Sequence, residues 1–264
     1  MGKRRLDTLL AERGLYESRT RAAAAVMAGE VAIGGDGRRA DKPGQLVAED
    51  AELVVAEGPR YVSRGGVKLA NALAGFGIDP AGLRCMDVGA STGGFTDCLL
   101  QHGAAEVVTL DVAYGELSWK LREDPRVTVI ERVNARSVEP GRLPFRPDLI
   151  AIDVSFISLR KVLPAVLDCA AERFDCLAMV KPQFEVGRDL VGSGGVVHEA
   201  ADRRAALVAV GECARDELGA TVLGYASSGL PGPAGNRETF AWIAEAGRTG
   251  AVEDLDAAAR TVEP

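Results

Sequence analysis

Aromatic residues make up only 5% of this 264-residue chain, histidine occurs twice, and no apolar run is long enough for a membrane span. A span needs roughly 20 consecutive apolar residues, so a membrane-embedded architecture is not expected. His102 and His198 have no second histidine or cysteine at ligand spacing, and no metal site is expected. Cys85, Cys98, Cys169, Cys176 and Cys213 are odd in number and include no C-x-x-C pair. Scattered through apolar segments, they read as buried free thiols in a reducing compartment, neither a disulfide framework nor a zinc site. The start, Met1-Gly2-Lys3-Arg4-Arg5-Leu6-Asp7, is charged at once and lacks the apolar core of a signal peptide. A cytoplasmic protein without membrane or metal partners is the expectation. Repeats and low-complexity tracts are missing too.

What remains is ordinary globular material, 47% hydrophobic and 26% charged, with a net charge of −7. That charge is unevenly placed. Residues 1–24 carry six basic groups against three acidic ones, while the tail from Glu253 onward is acidic. Local patches bind phosphate, whatever the total, so an acidic chain can still hold nucleic acid on one face.

The chain divides near residue 60. Leu6, Leu9, Leu10 and Leu15 fit the stripe of a short helix that Gly14 ends. Ser18 is placed to cap a second helix through Met27, which Gly29 ends. Val31–Ile33 and Leu53–Val55 read as strands, with turns at residues 34–37 and Lys42-Pro43-Gly44. Residues 1–58 would form a small α+β module, followed by a linker at 59–63. Arg5-Leu6-Asp7, Leu10, Gly14, Ser18-Arg19, Ala22, Gly29, Val31, Lys42-Pro43-Gly44 and Asp50 together resemble the S4 RNA-binding pattern. Gly34-Gly35 stands where that family commonly has Asn-Gly. The resemblance implies RNA contacts at Arg4, Arg5, Arg19, Arg21 and Lys42. Arginine forks suit phosphates, which position an RNA without reading its sequence; a solvated basic face is the plainer alternative.

From residue 64 to 264, strand-like and helical runs alternate. The strands are 84–88, 106–111, 127–131, 149–153, 176–181 and 221–225, and the helices include 67–76, 95–102, 159–171 and 201–218. This is the pattern of a doubly wound α/β domain with a mainly parallel sheet. The last run, 251–264, is expected to fray. After the first strand comes Asp87-Val88-Gly89-Ala90-Ser91-Thr92-Gly93-Gly94-Phe95. Glycines let the backbone approach a ligand, and the next helix offers its N-terminus. The spacing departs from the G-x-G-x-x-G of dinucleotide enzymes. Asp111, closing the second strand, can accept hydrogen bonds from ribose hydroxyls. Loop and carboxylate together point to an adenosine-containing cofactor. Asn134 is either an adenine contact or a strand-end turn.

Lys68, Asp153, Lys181 and Glu238 are read as ionisable residues at strand ends, where α/β sheets bind ligands. Glycines 89, 93 and 94 with Ala90, Ser91 and Phe95 resemble the S-adenosylmethionine site of class I (Rossmann-like) methyltransferases. Ser63-Arg64-Gly65-Gly66-Val67-Lys68, Asp153-Val154-Ser155-Phe156-Ile157-Ser158-Leu159, Lys181-Pro182-Gln183-Phe184-Glu185 and Asn236-Arg237-Glu238 resemble the Lys-Asp-Lys-Glu ribose 2′-O-methyltransferases. With the S4-like module in front, the chain is similar to the TlyA family, whose catalytic half is FtsJ-like. That resemblance implies methylation of cytidine 2′-hydroxyls in ribosomal RNA, 16S and in many members 23S, with S-adenosylmethionine as donor. It adds Arg64 to the RNA contacts and Asp153 to the cofactor contacts. Tyr61 stands where members have Trp.

The chemistry accounts for the residue types. A ribose hydroxyl is a poor nucleophile, so the site must take or share its proton and align oxygen, carbon and sulfur. A lysine serves as base where desolvation or a second cation loosens its proton. Asp153 and Glu238 would orient the ammonium groups. Either lysine fits the base; Lys181 is the expected one, with Lys68 stabilising developing negative charge. Phe156 and Phe184 would stack on a base or on the cofactor, or pack in the core. Gly192–Gly195 is a loop over the site or a turn. Two rivals are a membrane-active cytolysin, a label attached to this family, and an RNA-binding module with a dead methyltransferase fold. The first leaves the glycine loop unexplained, the second the four ionisable residues.

Overall fold

The computed structural model describes residues 2–35, 38–55 and 59–263. Contacts within the chain separate Met1–Arg60 from Tyr61–Pro264. The first unit opens with β1 (Lys3–Arg5), α1 (Leu6–Glu12) and α2 (Arg19–Met27). It continues with β2 (Val31–Ile33), β3 (Arg38–Arg39), β4 (Leu46–Ala48) and β5 (Leu53–Val55). Leu6, Leu9 and Leu10 of α1 meet Ala22, Ala25 and Val26 of α2 over Val31 in one small core. Ser18 Oγ accepts the Arg21 N–H at 3.2 Å and caps α2. Leu15, expected on the α1 stripe, lies beyond the end of that helix and is exposed. β3–β2–β5 form one antiparallel sheet and β1–β4 a second. β1 and β3 carry only basic residues, so no apolar alternation announced them. In the anticipated turn at 34–37, Asp36 and Gly37 lie outside the described residues, as does the anticipated domain end at residue 58.

The second unit runs α3 (Arg64–Phe76), β6 (Arg84–Val88), α4 (Gly94–Gln101), β7 (Glu106–Leu110), α5 (Trp119–Arg122) and β8 (Val127–Ile130). Then come β9 (Leu149–Ile152), α6 (Leu163–Asp168), β10 (Asp175–Val180), α7 (Pro182–Glu185) and α8 (Ala200–Glu212). β11 (Thr221–Ser227), β12 (Thr239–Ala244) and α9 (Leu255–Val262) close the chain. Among the described residues, seven strands form one sheet in the order β11-β12-β10-β9-β6-β7-β8. Side chains alternate across it. Met86, Val88, Ile150, Ile152, Ala178 and Val180 pack on one face with α6, α8 and α9; Cys85, Leu149, Ala151, Leu177 and Met179 pack on the other with α3 and α4. The inner strands β6, β9 and β10 are buried on both faces, which is why each reads as a mainly apolar run.

Four expectations need correction. β12 was missed, and it runs antiparallel to both β10 and β11. The helix expected over 159–171 is a tight turn at Leu159–Lys161 followed by the shorter α6, because Pro164 has no N–H to continue the ladder. The tail, expected to fray, carries a packed helix through Val262. α9 buries Leu255 and Ala259, and Glu263 sits 2% exposed with Arg203 Nε at 2.8 Å. Tyr61 to Ser63, expected as linker, pack into the second unit. Tyr61 is buried, and the Val62 N–H donates to Asp97 at 2.8 Å.

Candidate active site

β12 explains how Glu238 reaches the site. Its register pairs Thr239 with Val180, so the amino end of this reversed strand lies beside the carboxyl end of β10. Glu238 therefore precedes a strand, Lys181 follows one, and both stand at the same sheet edge. Asp153 follows β9, its N–H donating to Val88 O at 2.8 Å. Lys68 is not at a strand end. It lies in the second turn of α3, whose apolar residues Leu69, Ala72 and Leu73 pack on the sheet. All four residues line one cavity of about 800 Å³.

Within it the four groups form two ion pairs. Lys68 donates to Glu238 Oε2, and both side chains are nearly sealed from solvent. Lys181 Nζ lies 2.5 Å from Asp153 Oδ1 and donates to Ser155 Oγ at 2.8 Å. Each ammonium group is thus held against one carboxylate.

The glycine loop forms the cavity wall. A Cβ on Gly89, where φ is +86°, would stand 2.3 Å from Asp153 O, and one on Gly94 2.2 Å from Ser63 Oγ. Both positions demand glycine for closeness of approach. Ala90, Ser91 and Phe95 line the cavity beside Gly89 and Gly94; Gly93 instead backs onto Leu117 and Leu121. Asp87 is fully buried, and its Oδ2 accepts the Thr96 hydroxyl at 2.6 Å and the Thr96 N–H at 2.9 Å. Burial pushes its carboxyl up to about 7, the Thr96 bonds oppose the shift, and the charges on Asp153 and Asp111 add to it. Asp111 stands outside the main cavity, bordering a small recess with Ala90, Ser91 and Glu116. Its oxygens accept the N–H groups of Ser91 and Ala113, both at 2.7 Å. Asn134 lines neither space; its Oδ1 caps the short turn Ala135–Ser137 through the Arg136 N–H at 3.1 Å.

Several residues around the cavity were not singled out by sequence reasoning. Ser155 holds Lys181, and the buried Asn236 accepts the Val197 N–H and donates to Gly195 O. Gly194 and Gly195 thereby line the cavity as a wall tied to the Glu238 segment. Ser155 and Asn236 both lie inside the motifs that carried the resemblance, and their proximity to Asp153 and Glu238 was the available signal. Phe156, 92% exposed, and Phe184 also line the cavity, with ring centroids 5.3 Å apart. Phe156 has a φ of +64°, an uncommon conformation for a bulky residue.

In the first unit the basic groups are partly engaged. Arg4 pairs with Glu12 and Glu49, while Arg5 and Arg19 share the buried Asp7. The Arg5 guanidinium holds the Asp7 carboxyl far below the usual carboxylate range, with Arg19 adding to the effect against the cost of burial. Arg21 and Lys42 are exposed. In the second unit, Arg64 is exposed at the cavity. Among the described residues, no group of three potential ligands could hold a metal ion, and no helix is long and apolar enough to cross a membrane.

Comparison with known proteins bears on these features. The FtsJ-like methyltransferase profile matches residues 61–244 and the S4 domain profile residues 4–53. The chain is 51% identical over 241 residues to the 16S/23S rRNA (cytidine-2′-O)-methyltransferase TlyA of Mycobacterium tuberculosis, covering 90% of this chain and 89% of that one. It is 38% identical to Hemolysin A of Brachyspira hyodysenteriae, over 74% of this chain and 81% of the relative. A solved structure from Streptococcus thermophilus that carries a hemolysin label is 39% identical, covers 99% of this chain and 96% of its own, and superposes with a TM-score of 0.73.

Proposed function

The chain belongs to the FtsJ-like methyltransferase family, with an S4 domain ahead of the catalytic part, and from that premise we propose that it methylates the ribose 2′-hydroxyl of cytidine in ribosomal RNA. The observation that carries the reading is the convergence of Lys68, Asp153, Lys181 and Glu238 on one cavity walled by the glycine loop. The relative at 51% identity is named for 16S and 23S rRNA, and we assign 16S, with 23S as a second target. An rRNA substrate makes the cytoplasm the compartment we propose.

S-adenosylmethionine fits the residues present. The cavity has the size of a small-molecule site, its wall is bare backbone at Gly89 and Gly94, and acidic groups stand ready for a cationic ligand. Gly89, Ala90, Ser91, Gly94, Phe95 and Asp153 would hold it, with Gly93 shaping the loop from behind and Asp111 and Asn134, outside the cavity wall, assigned to the adenosine. When bound, it supplies a sulfonium methyl that is already electrophilic. Lys181 acts as the neutral amine: its ammonium first gives a proton to solvent on the open Asp153 side. The amine lone pair then takes the proton from the 2′-hydroxyl, Asp153 and Ser155 fix its direction, and Lys68 steadies the developing negative charge on that oxygen. Glu238 holds Lys68 in place. Phosphates of the RNA meet Arg4, Arg5, Arg19, Arg21, Lys42 and Arg64, the arginines already paired with carboxylates offering their remaining N–H groups.

Single-turnover transfer to rRNA, with the product nucleoside identified by mass spectrometry, tests the assignment. A methyl on the cytosine ring would overturn it. The hemolysin-labelled relatives raise a membrane-active reading; dye release from liposomes by purified protein, with no methyl transfer, would establish that reading instead.

A further inference from the structure

Two loops carry the chemistry at the end of β9 and β10, and they are joined at three levels. Lys181 Nζ meets Ser155 Oγ at 2.8 Å, and the Phe156 and Phe184 rings lie 5.3 Å apart. The third link is Glu185. It is 8% exposed, accepts the Ser158 hydroxyl at 2.6 Å on Oε2 and the Leu159 N–H at 2.6 Å on Oε1, and has Arg160 Nε at 3.5 Å. The Arg160 guanidinium also donates to Glu185 O at 3.2 Å.

We propose that Glu185 is a positioning residue for methyl transfer, setting the Asp153–Leu159 loop against the Lys181–Glu185 turn so that Asp153 and Ser155 both meet the Lys181 ammonium. This rests on the methyl-transfer reading above. A buried carboxylate is costly unless its oxygens are satisfied, and here both are, by donors from the other loop. That makes it a two-point clamp rather than a filler of space. Only a carboxylate accepts on both oxygens; a glutamine must turn its NH2 toward one of the two donors. The loop needs such a clamp. Phe156 is held at φ +64°, and an uncommon backbone conformation persists where surrounding contacts over-determine it. Ser155 is its neighbour, so a relaxed loop would carry the Lys181 partner away.

The test compares wild type, Glu185→Gln and Glu185→Asp in single-turnover transfer at saturating RNA and cofactor, with both dissociation constants measured separately. Glu185→Gln should slow transfer by about tenfold or more while both affinities stay within about twofold, the signature of lost transition-state alignment. The acid limb of the pH–rate profile should move with it, because the surroundings of Lys181 change. Glu185→Asp keeps both acceptor oxygens and should recover part of the rate. An unchanged rate, or a slower one with an unmoved pH limb and cofactor affinity lost in proportion, overturns the proposal. If Glu185→Gln does not fold, Ser158→Ala removes one clamp point alone. It should slow transfer by about threefold with the same moved limb, and wild-type behaviour there overturns the proposal equally. Wild type placing no methyl on ribose would sink the functional reading itself; wild type and Glu185→Gln transferring alike would sink only this inference.

Discussion

The two lysine–carboxylate pairs of the cavity share chemistry but not surroundings. The side chains of Lys68 and Glu238 are 7% and 1% exposed, those of Lys181 and Asp153 are 11% and 25%. The first pair is sealed. Its ions left water together and hold one another in place, and a proton leaving Lys68 would strand the Glu238 charge. The second pair is open on the aspartate side, and its lysine is shared with Ser155. A group that must accept and pass on a proton is better served there, because water reaching Asp153 gives that proton somewhere to go. Exposure, not residue type, distinguishes the two pairs, and it favours the second for the base role proposed for Lys181.

Replacing Lys181 is the strongest way to break this comparison. Lys181→Ala should slow single-turnover transfer by about a hundred- to ten-thousand-fold, the usual range for a general base, while cofactor affinity and cooperative unfolding are kept. If Lys68→Ala instead shows that clean loss and Lys181→Ala stays active, the roles are reversed.

The sealed pair should reveal itself through stability. Glu238→Ala leaves a buried ammonium without a counter-charge, which costs about 3–5 kcal/mol. Asp153→Asn, at the open pair, should cost clearly less because solvent screens it. Lys68→Met combined with Glu238→Leu should regain most of the lost stability in urea denaturation and none of the activity. Equal destabilisation by Glu238→Ala and Asp153→Asn would erase the distinction between sealed and open.

Much of this was legible in the sequence, for a physical reason. Strands such as Leu149–Ile152 and Asp175–Val180 are buried on both faces and therefore announce themselves as apolar runs. Glycines 89 and 94 are fixed by close approach, and side chains cannot substitute there. β12 was missed although its sequence, Thr-Phe-Ala-Trp-Ile-Ala, is apolar enough. A rule of alternating strand and helix leaves no place for a strand that follows another directly, and Glu238 could be placed only once β12 was seen to run backwards. Lys68 was grouped with the strand-end residues although it falls inside the helix expected over 67–76, and it reaches its partners from that helix. Ser155 and Glu185 were invisible as individuals, because their importance lies in which loop each touches.

Cofactor binding offers a smaller effect. Asp111→Ala should weaken S-adenosylmethionine by about 1.5–3 kcal/mol in calorimetry, the cost of losing hydrogen bonds to a charged group. Asp111 also accepts the Ser91 N–H, so part of that loss comes through the loop. Lys68→Ala should leave cofactor affinity nearly unchanged. Unaltered affinity in Asp111→Ala would remove that residue from the cofactor site. Deleting residues 1–60 should likewise spare cofactor affinity while weakening RNA binding and flattening its salt dependence; equal RNA affinity with and without that unit would refute the division of labour.

The most delicate difference between the pairs is electrostatic, and Asp87 reports it. This buried carboxyl is raised to about 7 from an ordinary 3.8, by burial first and then, after the opposing Thr96 bonds, by the charges on Asp153 and Asp111. Its folded value lies above its unfolded one. Its stabilising contribution is therefore complete below about pH 3.8 and is lost as pH rises toward about 7, with no further loss above that. Wild type should lose stability relative to Asp87→Asn across that window, at no more than about 1.4 kcal/mol per pH unit. Asp153→Asn removes one of the raising charges and should draw in the upper edge of the window. Glu238→Gln alters the sealed pair and should leave that edge in place. Urea midpoints measured every half unit from pH 4 to pH 8 would distinguish the variants. A window that moves equally in both would mean that Asp87 senses general loosening of the cavity and not the charge on the open pair.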